Sequence, residues 1–272
     1  MLIQSPNFNI QQIADSGQCF RMNKINENQY SLIAYSKYIV LTQIDSDKVE
    51  INCSEEEFEE VWKDYFDLEY NYQQIVDNLT NGQDTFLKAA AEYGNGLRIL
   101  KQEPFEMLIS FIISQNKNIP AIKRTIEKLC IKYGSLIENE LCGGIETYAF
   151  PTPESLAGAR LEDLRETGLG YRDAYILRSA QSVVNREIDL TKLRTLNTDE
   201  VMKHLTKLHG VGVKVANCVS LYGLHHIENA PVDVWIARVL KEIYQNKFDW
   251  KKYEGIAGII QQYMFYYMRN HT

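Results

Sequence analysis

The hydrophobic period of this chain changes once, and that change limits what it can fold into. Residues 29–53, QYSLIAYSKYIVLTQIDSDKVEINC, are rich in β-branched and aromatic residues with partial period-two alternation. That pattern predicts two or three antiparallel strands. Directly after it, Ser54 and Glu57 have capping-box spacing, and Phe58, Val61, Trp62, Tyr65 and Phe66 recur at helical intervals. Amphipathic helices are expected at 105–115, 119–133, 171–186, 199–208, 213–222, 234–244 and about 250–270, with mostly short connections. The longest irregular stretch is 136–154. The expected class is α+β: a small N-terminal antiparallel β-sheet domain with flanking helices at 1–104, attached to a mainly α-helical body at 105–272. The N-terminal and C-terminal helices are expected to pack together.

Within the helical part, residues 208–234 read LHGVGVKVANCVSLYGLHHIENAPVDV. Gly210 and Gly212 permit positive φ and keep side chains out of the way, so backbone N–H groups around Val211 can approach a phosphate oxygen. Lys214 follows in the first turn of a helix, where the dipole and a desolvated surround both disfavour an ammonium. Nucleophilic work by a lysine needs its pKa lowered on the order of three units from about 10.4.

Asp233 lies beyond a segment, 224–232, that spans up to roughly 30 Å when extended. The intervening helix is only about 15 Å long, so the carboxylate can return to the amine. An amine beside a carboxylate suits attack on an anomeric carbon, the carboxylate stabilising oxocarbenium charge while the amine captures C1′. Each part has a plainer reading. Asp233 is a good N-cap, a first-turn lysine is usually solvated surface, and a glycine hairpin alone is a generic DNA-backbone binder.

A net charge of −7 argues at first against a polyanionic partner. Its distribution reverses that. Residues 45–69 hold eleven Asp or Glu against Lys48 and Lys63, so this segment carries −9 and the rest of the chain +2. Residues 98–132 carry +4, and Lys203, Lys207 and Lys214 cluster about the hairpin. The acidic block is expected to be a solvated face turned away from DNA.

The five cysteines, Cys19, Cys53, Cys130, Cys142 and Cys218, lack CxxC spacing, so neither a disulfide framework nor a metal site is expected. None follows Cys218, which argues against a C-terminal iron–sulfur loop. There is no signal-peptide pattern and no membrane-length apolar run, so an intracellular protein is expected, in cytoplasm or nucleoid if bacterial.

Taken together, LHGVGVKVANC followed by APVDVW resembles the helix-hairpin-helix DNA glycosylase superfamily, and within it the 8-oxoguanine DNA glycosylase/AP lyases. SGQCFR at 16–21, ISFIISQNKNI at 109–119, GLGYR at 168–172 and AGIIQQYMF at 257–265 are similar to further signatures of that family, in the same order. The resemblance implies a helix-hairpin-helix motif at about 199–223 and a bifunctional base-excision enzyme. It needs no cofactor or metal, has no iron–sulfur cluster or membrane partner, and acts as a monomer on double-stranded DNA containing 8-oxoguanine.

By that resemblance Lys214 is the nucleophile and Asp233 stabilises the transition state. Asn116 and Tyr171 fill the gap left by the flipped base, Arg172 faces the estranged base, and Gly210, Val211, Gly212 and Trp235 contact DNA. In the base pocket the Gly17 carbonyl accepts the N7–H that distinguishes 8-oxoguanine, Gln261 reads the Watson–Crick edge, and Phe265 and Cys218 flank the base.

Three positions depart from the family. Ala121 stands where animal enzymes place a second arginine, which implies weaker opposite-base discrimination. Trp235 replaces a histidine, and His209 a common proline. Two other functions stay open on the sequence: a non-catalytic DNA-binding module, and a glycosylase for another damaged base.

Overall fold

The computed structural model describes residues 1–138, 141 and 144–271. Cys142, one of the cysteines expected to be free, lies outside the described residues. The fold is α+β as expected, an N-terminal antiparallel sheet followed by a helical body.

The sheet has five strands, β1 (Leu2–Gln4), β2 (Met22–Lys24), β3 (Gln29–Ala34), β4 (Lys37–Gln43) and β5 (Lys48–Ile51). Their order is β1-β5-β4-β3-β2, antiparallel throughout. The three central strands lie in the segment whose alternation predicted them. The edge strands β1 and β2 have three residues each, too short to show a period. One face of the sheet buries Leu32, Ile39, Leu41 and Val49 against Trp62 and Phe66.

Ser54 caps the acidic helix as its spacing predicted, Oγ accepting from the Glu57 N–H at 3.1 Å. The reciprocal half of the box is absent. Glu57 instead accepts from the Trp62 indole at 2.7 Å, across a π-helical turn, Phe58–Trp62, that replaces a regular α-helix here. The acidic block is not wholly a solvated face, because Asp67 is buried. It accepts from the Tyr72 hydroxyl at 2.9 Å and pairs with Lys101 at 3.1 Å and His225 at 3.3 Å. Burial, the largest influence, pushes its carboxyl up, but His225 and Lys101 together hold it below the usual range.

The helical core draws on both ends of the chain. Helix Ala257–His271 packs against Thr85–Tyr93, and Pro104–Ser114 against Val213–Tyr222. Leu87, Leu108, Val219, Ile236 and Tyr263 share this core. The short helices Pro153–Ala157, Leu161–Leu164 and Leu190–Leu193 were not expected, while the body's expected helices start and stop within a few residues of expectation except at the C-terminus. There a short 3₁₀ turn, Trp250–Tyr253, precedes a separate helix, Ala257–His271. Among the described residues no helix is long and apolar enough to cross a membrane, and no cluster of His, Cys, Asp or Glu could hold a metal ion.

Candidate active site

The site begins with the turn between helices Thr198–Leu205 and Val213–Tyr222. Gly210 has φ 82, and a Cβ there would lie 2.3 Å from the Tyr175 ring, so both the backbone and the neighbour require glycine. Gly212 corrects the sequence reading: its φ of −84 and ψ of 175 are open to any residue. What glycine provides there is open space, since a Cβ would meet nothing within 4 Å. Val211 is a second correction. Its N–H donates to the Leu208 carbonyl at 3.1 Å and its side chain is buried. The N–H groups left without a side-chain cap are one step along, at the first turn of Val213–Tyr222.

Lys214 rises from that turn and is exposed, not desolvated. Beyond the helix the chain folds back, pinned by Leu224 N–H to the Val219 carbonyl (3.0 Å), Asn229 Nδ2 to Asn217 Oδ1 (3.0 Å) and Gly258 N–H to the Ile227 carbonyl (2.8 Å). Asp233 is thereby returned to the lysine's end. It is also the N-cap of Val234–Glu242, Oδ1 accepting from the N–H groups of Trp235 at 3.0 Å and Ile236 at 2.9 Å. Both capping bonds go to Oδ1, so capping leaves the other oxygen for other work. Burial raises the carboxyl's pKa, opposed by those N–H groups and by the charge of Lys214.

Both groups line a cavity of about 400 Å³, together with Gly17, Cys218, Trp235, Gln261 and Phe265. These seven predicted residues come from four separate stretches of sequence. Gly17 (φ 77) has the Phe265 ring against it, ring carbons lying 3.3 and 3.4 Å from where a Cβ would be. The neighbouring carbonyls of Ser16 and Gln18 accept from Gln262 and Gln102, whereas the Gly17 carbonyl accepts no hydrogen bond among the described residues. Gln261 is buried, with its Oε1 3.4 Å from the Tyr222 hydroxyl. Cys218 is buried too; burial pushes its thiol up to about 12, so it stays neutral and suits an apolar contact. Phe265 is half-buried between Met264 and Tyr266, which are buried. A larger cavity, about 700 Å³ beside Tyr35, Glu103 and Arg194, contains none of the predicted residues.

Asn116, Tyr171 and Arg172 lie outside the cavity lining. Asn116 is exposed at φ 52 and donates from Nδ2 to the Tyr171 hydroxyl at 3.3 Å. Tyr171 is 52% exposed. Arg172 departs from expectation: it is 6% exposed, and its guanidinium donates to the Leu169 and Gln115 carbonyls while lying 4.3 Å from the Tyr171 ring centroid. In this conformation it braces the tyrosine, and the guanidinium, with its Nε unpartnered, is buried away from solvent.

Sequence reasoning missed the residues that hold the cavity in shape. The Tyr222 hydroxyl donates to Gln262 Oε1, and Gln262 Nε2 donates to the Ser16 carbonyl at 2.8 Å, fixing the loop that carries Gly17. Lys117 lines the cavity, as does Arg269, which donates to the Asp15 carbonyl at 2.5 Å. Buried tyrosine and glutamine inside apolar helices were the available signal, since such groups need partners.

Family comparison divides the chain in two. The family described as 8-oxoguanine DNA glycosylase, N-terminal domain, matches residues 1–108, and the HhH-GPD superfamily of base excision DNA repair proteins matches 109–262. The N-glycosylase/DNA lyase of Saccharomyces cerevisiae is 40% identical over 193 residues, which is 66% of this chain and 50% of the yeast protein, so the match spans about half of that relative's length. Among solved structures, Clostridium acetobutylicum 8-oxoguanine glycosylase/lyase with double-stranded DNA containing cytosine opposite 8-oxoguanine superposes at a TM-score of 0.90. It is 36% identical, over 97% of this chain and 93% of that one. MBOgg1 in complex with a low-affinity DNA ligand superposes at 0.92, 37% identical, over 99% and 95%.

Proposed function

The chain belongs to the HhH-GPD superfamily of base excision DNA repair proteins, in its 8-oxoguanine DNA glycosylase branch, and from that premise we propose that it excises 8-oxoguanine from duplex DNA and then cleaves the strand. The observation that carries this is the convergence on one cavity of an amine, a carboxylate whose cap uses one oxygen, and a glycine carbonyl without a partner among the described residues. A lysine with an adjacent carboxylate suits covalent capture of a sugar carbon, which a module that only holds phosphates does not need.

In the proposed reaction the damaged nucleotide leaves the stack and its base enters the cavity. Phe265 stacks on one face, with neutral Cys218 on the other. The Gln261 amide addresses the Watson–Crick edge, and the Gly17 carbonyl accepts the N7–H of 8-oxoguanine. Guanine carries a lone pair at that nitrogen and is repelled. Once deprotonated, Lys214 attacks C1′; the C1′–N9 electron pair departs with the base while Asp233 stabilises the charge developing on the sugar. Opening of C1′–O4′ gives a Schiff base. It acidifies the C2′ proton, whose loss expels the 3′ phosphate.

Because Lys214 is exposed in the free protein, covering DNA must supply its desolvation. Gly210 shapes the hairpin and Val211 anchors it in the core, so that Gly212 and the helix N-terminus meet the backbone. Trp235 flanks the lesion. Asn116 and Tyr171 occupy the vacated space, with Arg172 bracing the wedge. We also place the protein inside the cell as a monomer without an iron–sulfur cluster. A functional division near residue 104 is proposed on the boundary between the two family matches, although helices Tyr72–Thr80 and Thr85–Tyr93 share the core of the second part.

Borohydride reduction during incubation with an 8-oxoguanine duplex should trap a covalent protein–DNA adduct, and Lys214→Gln should abolish it. Absence of an adduct with the unaltered chain would sink the lyase assignment, and an adduct on other lesions but not this one would redirect it. Run opposite C, A, G and T, single-turnover excision should vary little, because Ala121 offers no guanidinium and that of Arg172 is engaged.

A further inference from the structure

We propose that Lys117 is a positioning residue that ties the gap-filling loop to the wedge loop, so that Asn116 and Tyr171 enter the duplex as one preassembled unit. The inference rests on the glycosylase reading above. The Lys117 ammonium donates to the Gly168 carbonyl and to Thr125 Oγ1, each at 2.8 Å. Gly168 begins the turn that carries Tyr171, and Lys117 adjoins Asn116. Thr125 is itself fixed, its hydroxyl donating to the Ala121 carbonyl at 2.8 Å within helix Ile119–Tyr133. One cation thus joins two loops and anchors both to a helix.

Other contacts cross the same gap. Asn116 reaches the Tyr171 hydroxyl, and Arg172 the Gln115 carbonyl. Behind them Gln115 Nε2 donates to the Gly210 carbonyl at 3.1 Å. Tyr171 meets Tyr175 edge-on at 5.8 Å, and Tyr175 meets His209 at 4.9 Å. Gap loop, wedge and hairpin are therefore connected before any DNA arrives.

Lys117 is the part of this assembly with most at stake. The Asn116 contact is exposed and involves two side chains that must each find a place in the duplex. The Lys117 bond to Thr125 is partly buried and the bond to Gly168 is exposed, and both leave Asn116 and Tyr171 unencumbered. Burial, then the charges of Arg172, Arg124 and Lys128, push its amine below the ordinary value, so its two acceptors hold a cation that its neighbours repel. Flipping has to overcome unpairing and unstacking. Loops ordered in advance lose less freedom on insertion than loops ordered by the DNA.

The test separates extrusion from chemistry. In a Lys214→Gln background, 2-aminopurine next to an 8-oxoguanine paired with cytosine reports flipping, and adding Lys117→Ala should slow its fluorescence rise about tenfold, the low end for one charge-assisted hydrogen bond. With Lys214 intact, Lys117→Ala should slow excision from the paired duplex by a similar factor. It should do so by less than about threefold when the lesion faces an abasic gap, where extrusion costs little. Equal losses on both substrates, or an unchanged fluorescence rise, would overturn the proposal. If the unaltered chain excises nothing while flipping still depends on Lys117, the glycosylase reading fails and the coupling stands.

Discussion

At the residue scale, Asp233 carries two duties on one carboxylate. Oδ1 caps Val234–Glu242 through two N–H groups, and the charge faces Lys214 across the cavity. Asparagine caps about as well as aspartate but carries no charge. Asp233→Asn should therefore keep unfolding free energy within about 1 kcal/mol of the parent while lowering single-turnover excision on the order of a hundredfold. Urea unfolding and rapid-quench kinetics on one preparation check both, and parallel losses would reduce Asp233 to a cap. Burial raises this carboxyl, so excision should fall on acidification at a pH above the value of about 3.9 for a free aspartate. Both duties were legible from APVDVW as competing readings. That they coexist was not, because the count of oxygens in use is a property of the folded cap.

At the element scale, the hairpin shows how far residue types determine local geometry. Two glycines flanking one residue marked the turn, yet only Gly210 adopts the left-handed backbone and meets a neighbour, the Tyr175 ring from another helix. Gly210→Ala should cost about 2 kcal/mol or more, from positive φ and from the overlap with that ring. Gly212→Ala should leave stability nearly unchanged and weaken DNA binding instead. Thermal unfolding and duplex affinity, measured for both variants, should move in opposite rank; equal destabilisation would refute the distinction. The helices that were legible carry apolar stripes over two or more turns, whereas Tyr72–Thr80 and Thr85–Tyr93 were not located from the sequence. The three-residue edge strands and the π-helical turn at Phe58–Trp62 were not legible, since each is too short to repeat the period that would reveal it.

At the scale of the whole molecule, buried polar groups tie together the segments around the sheet, and Lys123 of the helical body donates to the Met22 carbonyl of β2 at 2.6 Å. Gln18 accepts from the Leu100 N–H at 2.9 Å and donates to the Arg98 carbonyl at 2.8 Å, while Arg98 reaches the carbonyls of Asn7, Pro6 and Asp67. Glu106, buried on Pro104–Ser114, is pushed up to about 8 by burial, with Arg21 opposing and Glu103 adding to the rise. The folded state then keeps a proton that the unfolded chain releases near 4.5, so stability should decline as pH rises between those values. Glu106→Gln should flatten that decline, and urea midpoints from pH 4.5 to 8 would show it; an unaltered slope would exclude Glu106 as its source.

The sequence by itself determined the α+β class, the hairpin, and the residue types of the candidate cavity, because backbone preference, hydrophobic period and motif order are properties of the chain. Tertiary structure alone decided that Arg172 faces inward, that Val211 spends its N–H on Leu208, and that Lys117 bridges two loops. Each depends on which donor meets which acceptor across a fold, and no local pattern in the chain encodes that meeting.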